Sequence, residues 1–124
     1  MITVLEVVAE ELSALGINYH YAEYKDNPPK YPYWVGSYTA SDGADEDGET
    51  DISFILTGFF RGQTILETER EKSRIIDHFR KGRRIAGKGC AAVIFYSNSL
   101  DVPQDIEDMN KSEIYLTIKY WKGE

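Results

Sequence analysis

The stretch from Tyr31 to Arg61 constrains this chain most, because it holds two strand-forming arms around a segment that resists burial. The first arm, Tyr31-Pro32-Tyr33-Trp34-Val35-Gly36-Ser37-Tyr38-Thr39, is aromatic and β-branched, a composition suited to a pleated, half-buried surface. The second, Asp51 to Arg61, alternates Ile52, Phe54 and Leu56 with Asp51, Ser53 and Thr57, the two-residue period of a strand with one face inward. Between them, residues 40–50 carry five carboxylates and no large apolar side chain, so burial there cannot offset the entropy of ordering the backbone. The reading is a long β-hairpin, 31–61, with a mobile acidic loop over 40–50. A projecting arm of this kind suits contact with another protein better than enclosure of a substrate.

The flanking segments supply the elements that such a hairpin needs to pack against. Ile2, Leu5, Val8, Ala9, Leu12 and Leu15 recur at three- and four-residue spacing, the apolar stripe of a helix, with Thr3 and Glu6 as a capping box and Gly16 as its end. Residues 17–24 alternate as a strand, and Pro28-Pro29 then impose a loop. Thr64 caps a second helix with Leu66, Ile75, Ile76 and Phe79 on its apolar face; Glu67/Glu71 and Arg70/Arg74 repeat four residues apart on a wet side. The basic, glycine-punctuated segment 80–89 reads as a flexible loop. Cys90 to Tyr96 is an apolar run of strand length, read as a central strand. Residues 97–111 are polar, with Pro103, Asp105, Glu107 and Asp108. Residues 112–121 then alternate with Ile114, Leu116, Ile118 and Tyr120 on one face. The order α-β-(β-β)-α-β-β predicts an α+β fold: a mainly antiparallel sheet with the long hairpin, and two helices packed on one face.

At 124 residues the chain suits a single domain, 1–124. The net charge of -7 disfavours general nucleic-acid binding, which needs clustered Lys and Arg to neutralise phosphate. The single Cys90 permits no intrachain disulfide and suits a reducing compartment. Glu6, Glu10 and Glu11 interrupt the apolar amino end, as no signal peptide or membrane span would tolerate. The expectation is a soluble, cytosolic chain with no membrane partner.

Candidate chemistry is sparse. Asp45-Glu46-Asp47-Gly48 offers two alternating acids before a glycine, but Asp42 falls out of step for a calcium loop and no glutamate follows at the required distance. Gly82, Gly87, Lys88 and Gly89 among Arg80, Lys81, Arg83 and Arg84 could cradle phosphate, yet match neither the P-loop nor the dinucleotide pattern. His20 and His78 lie in different elements, and nothing beside Cys90 would activate its thiol. The sequence therefore supports no catalytic, cofactor-binding or metal-binding residue. The aromatics say more. Nine tyrosines in a small acidic domain exceed what one core buries with every hydroxyl paired, and Tyr and Trp favour protein interfaces.

The run Tyr31 to Tyr38, the acidic loop, and Phe54-Ile55-Leu56-Thr57-Gly58-Phe59-Phe60-Arg61-Gly62 together resemble the YPY-x-VG-x-Y … F-x-LTGF-x-RG pattern of small bacteriophage and prophage proteins. Those proteins come from phages of Gram-positive bacteria, are encoded among head–tail joining genes, and are similar to tail terminator or tail completion proteins. The resemblance implies an α+β subunit that forms a ring, a hexamer by analogy, at the end of the tail tube. It also implies contact with tail-tube or head-connector proteins, and a negative channel wall past which DNA travels only as cargo. The host cytoplasm during assembly and then the virion tail would be its locations. It transfers no catalytic residue.

The expected function is thus a non-enzymatic structural protein of a phage tail or head–tail interface. Its candidate interface residues are Tyr33, Trp34 and Tyr38 on the hairpin, Asp45, Glu46 and Asp47 in the acidic loop, and Arg80, Lys81, Arg83 and Arg84. Opposite charges on one subunit suit a head-to-tail contact, acidic loop to basic segment. The competing readings are a nucleic-acid-binding module using segment 80–88, a monomeric adaptor adding its hairpin to a partner's sheet, and a small hydrolase built on His20 or His78.

Overall fold

The computed structural model describes residues 2–23, 30–42, 49–87, 90–102 and 109–122. Its elements run α1 (Ile2–Ala14), β1 (Tyr19–Tyr21), β2 (Tyr33–Asp42), β3 (Glu49–Arg61), α2 (Ile65–Arg80), β4 (Arg83–Gly87), β5 (Cys90–Val102) and β6 (Met109–Lys122). The strands form one sheet in the order β1-β2-β3-β6-β5-β4. The fold is α+β, as the residue pattern predicts, and within 31–61 β2 and β3 pair antiparallel with Tyr38 opposite Phe54 and Gly36 opposite Leu56. Residues 40–42 and 49–50, expected in the acidic loop, are strand instead, because the ladder continues through Ala40 opposite Ile52 and Asp42 opposite Thr50; residues 43–48 lie outside the described residues.

Three departures have physical causes. Segment 83–87 is the edge strand β4, not a loop; Arg83 to Gly87 pair antiparallel with β5, and charged side chains suit an edge because they discourage further pairing. Lys88 lies outside the described residues. β1 pairs parallel to β2, although a short connection favours antiparallel pairing; Tyr19, His20 and Tyr21 match Trp34, Val35 and Gly36. β5 and β6 extend well into the polar segment 97–111, with a bulge between Tyr96 and Asn98 that adds one residue to β5. The sheet's middle pair is β3 and β6, so the run beginning at Cys90 is an interior strand flanked by β6 and β4. The predicted acidic patch Asp105, Glu107 and Asp108 lies outside the described residues.

Both helices lie on one face. Val4, Val8 and Leu12 of α1 and Ile75 and Phe79 of α2 join Trp34, Ile52, Phe54, Leu56, Phe60, Ile94, Ile114, Leu116 and Ile118 in one buried cluster. Thr3 falls inside α1, which begins at Ile2, so it is not the cap. Gly16 ends α1 as expected: at φ +76 it takes the left-handed geometry, with Gly16 N–H donating to Ser13 O (2.9 Å) and Ile17 N–H to Leu12 O (3.0 Å). The buried stripe of α2 is Thr68, Lys72, Ile75 and Phe79, whereas Leu66 is exposed. Among the described residues, no helix is long and apolar enough to cross a membrane.

Thr64 caps α2, its Oγ1 accepting from Glu67 N–H at 3.1 Å and its carbonyl accepting from Thr68 N–H at 3.0 Å. Thr64→Ala removes the side-chain acceptor and is expected to cost about 1 kcal/mol in urea unfolding, with Thr64→Asp retaining stability. Equal loss in both variants would mean that the hydroxyl is not the stabilising group.

Candidate interaction surface

Alternation sorts the sheet into two faces. Ile52, Phe54, Leu56, Ile114, Leu116 and Ile118 point to the helices and are buried. Their neighbours Ile55, Thr57, Phe59, Tyr115 and Thr117 point the other way and are half-buried. Among the described residues no element covers that second face. A sheet face in water ordinarily carries polar side chains. Here Ser37, Ile55, Tyr115 and Asn98 form one cross-strand row, and Thr39, Ser53, Thr117 and Phe95 form the next.

An aromatic rib crosses one end of this open face. Tyr31 and Tyr33 have ring centroids 5.4 Å apart, and Tyr33 stacks on Phe59 at 5.0 Å with 23° between the planes. The Lys111 ammonium lies 5.9 Å above the Phe59 ring, where the ring quadrupole attracts a cation. Tyr33, Phe59 and Lys111, together with Ala22, Glu23, Val35 and Thr57, line a shallow pocket of about 380 Å³. Ala22 holds φ +70, and Glu23 N–H donates to Tyr21 O at 2.8 Å across it, a strained three-residue turn that a residue with a Cβ rarely adopts. Ala22 N–H donates to Gly36 O at 2.8 Å and ties this turn to β2.

The expected interface residues separate on the structure. Tyr33 is half-buried within the rib. Trp34 cannot serve as a contact: it is fully buried, packed edge-on to Phe60 at 5.6 Å, and its Nε1–H donates to Glu71 Oε2 at 3.2 Å. Adjacent residues on a strand face opposite ways, so Tyr33 and Trp34 could not both be on one surface. Tyr38 points to the helix side with Trp34, packs against the core, and lies 6.4 Å from the Tyr21 ring. Burial, and secondarily the neighbouring Tyr38, raises the Tyr21 phenol above its ordinary pKa.

Asp45, Glu46 and Asp47 lie outside the described residues. Arg80 ends α2, exposed, with its guanidinium 5.4 Å from the Tyr96 ring centre; Lys81 is the exposed C-cap. Arg84 is exposed opposite Val93, which puts it on the open face; of Arg83 the backbone alone is described, as the first residue of β4. The histidines sit apart. His20 Nε2 is 3.0 Å from Asn18 Oδ1, and His78 Nε2 is 2.8 Å from Glu11 Oε2, joining α2 to α1.

Sequence reasoning missed a polar cluster under the helix layer. Lys72 is buried, and its Nζ donates to Asp101 Oδ1 at 2.7 Å and Glu69 Oε1 at 3.3 Å; Ser112 Oγ–H donates to the same Asp101 oxygen at 2.8 Å. Burial pulls the Lys72 pKa down, but the bonds to Asp101 and Glu69 more than reverse it, so the ammonium holds its proton beyond the usual range. The bonds from Lys72 and then Ser112 hold Asp101 below the usual carboxylate range. A cation held this way donates hydrogen bonds and cannot accept a proton, and the Ser112 hydroxyl joins it on the Asp101 carboxylate. Its role is to pin α2 to β5 and β6. The four-three-four spacing of Thr68, Lys72, Ile75 and Phe79 was the available signal.

In comparison with known proteins, the chain matches no family model, and no curated protein matches it in sequence.

Proposed function

We propose that this chain is a non-enzymatic structural subunit of a phage tail or head–tail junction, which assembles with further copies of itself into a ring through its open sheet face. The observation that supports this reading is the unmatched exposure of the two faces. Helices cover one side, while Tyr33, Ile55, Phe59, Phe95 and Tyr115 remain half-exposed on the other. Aromatic and aliphatic side chains clustered on an open face are what a protein partner would bury. The residue pattern of the 31–61 hairpin points the same way, and the acidic balance of the chain suits a channel wall that does not retain DNA.

Light scattering behind size exclusion tests this across micromolar concentrations. A discrete multimer is expected, its mass falling on dilution and its formation accelerated by tail tubes. A strict monomer that tail tubes also fail to recruit would overturn the reading.

A further inference from the structure

The first turn of α2 leaves two aliphatic side chains in water, Ile65 at 82% and Leu66 at 59% exposure, the two largest values among the exposed large hydrophobic residues. The helix buries Thr68 and Lys72 instead; Ile65 only borders a cavity of about 210 Å³ with Val102 and Asn110, and Leu66 is left facing water. Exposed Glu67 and Arg70 flank this knob. On the open face of the sheet, the pocket floored by Tyr33 and Phe59 carries the opposite arrangement: a cation, Lys111, and an anion, Glu23, on its rim, with the strained Ala22 turn as one wall.

We infer that Ile65 and Leu66 of one copy seat in the Tyr33–Phe59 pocket of a second copy, with Glu67 facing Lys111 and Arg70 facing Glu23. Apolar knob and aromatic floor bury each other, and both rim pairs join opposite charges. Knob and pocket are different surfaces of the subunit, the knob on α2 and the pocket on the open face of β2 and β3, so each subunit offers one of each. Such a contact is heterologous and closes into a ring when the rotation allows. This contact rests on the ring reading and names the surfaces that build it.

A charge exchange tests it. Glu67→Lys and Lys111→Glu each set like charges across the contact, and each alone is expected to weaken assembly on the order of tenfold, measured by light scattering. Both changes in one chain restore assembly, and so does mixing the two single variants, because every knob then meets an opposite rim. Leu66→Asp abolishes assembly and is not rescued by either. Circular dichroism should show these variants folded, since Leu66 and Glu67 are exposed and Lys111 is half-buried at the pocket rim. A multimer unaffected by either single change, or not recovered in the exchanged chain, overturns the contact and leaves the ring reading standing. A wild-type chain that stays monomeric and is not recruited by tail tubes overturns both.

Discussion

Trp34→Ala is expected to destabilise the domain by about 3–5 kcal/mol, the range for removing a buried indole and leaving a cavity. Trp34 is the largest of the fully buried side chains, lies edge-on to Phe60, and reaches across to Glu71 of α2. It fits only because position 58 has no side chain. A Cβ there would stand 2.7 Å from three carbons of the indole ring, well inside contact distance. Gly58→Ala should therefore cost about 1–3 kcal/mol through overpacking. The two costs are coupled. In the double variant the new methyl enters space vacated by the indole, so urea unfolding should give a total loss smaller than the sum. Strict additivity would mean that Gly58 is required for some reason other than the Trp34 ring.

Asp101→Ala is expected to cost about 1–3 kcal/mol at neutral pH, since it removes the best acceptor of a buried ammonium. The lower half of that range is favoured because the Asp101 side chain is 64% exposed and water screens the pair. The loss should follow pH. Asp101 has a depressed pKa in the folded chain, so its stabilisation is present above the ordinary value of 3.8 and disappears as pH falls through the folded value. Lys72 has a raised pKa, so its share is present below the ordinary 10.5 and disappears as pH rises through the folded value. Wild type and Asp101→Ala should differ most between about pH 5 and 9 and converge in acid. Lys72→Met in the Asp101→Ala background should recover much of the loss, because an apolar side chain of similar length has no charge to strand. A constant difference down to acid pH would show that the charge of Asp101 is irrelevant to its role.

These two sites serve the proposed assembly indirectly. Trp34 holds β2 against the core, and Tyr33, the next residue, is thereby turned to the open face where the aromatic rib begins. The Lys72 cluster fixes α2 on β5 and β6, which sets where Ile65 and Leu66 project. Each interaction stabilises the subunit on the helix side and positions what lies exposed.

Strand stretches 33–39, 51–61 and 112–121 and the two helices were legible locally, because period-two and period-3.6 patterns, the Thr64 cap and the Gly16 stop act over a few residues; the strand ends at 40–42, 49–50 and 109–111 read as loop and are extended only through ladder pairing. Tertiary structure alone decided the rest. β4 reads as a basic loop since its own residues have no strand pattern; pairing with β5 supplies the hydrogen bonds that make it extended. β1 lies parallel to β2, and β3 beside β6, because sheet order is set by which faces can be buried together and not by nearness along the chain. Lys72 is charged and so reads as exposed, but Asp101 and Ser112, brought from two other strands, supply the partners that allow its burial. Trp34 reads as an interface aromatic; alternation placed it opposite Tyr33, and the absence of a side chain at Gly58 made room for it inside. Local sequence determined most of where the chain is extended or helical, and long-range packing determined which of those surfaces were buried and which stayed open.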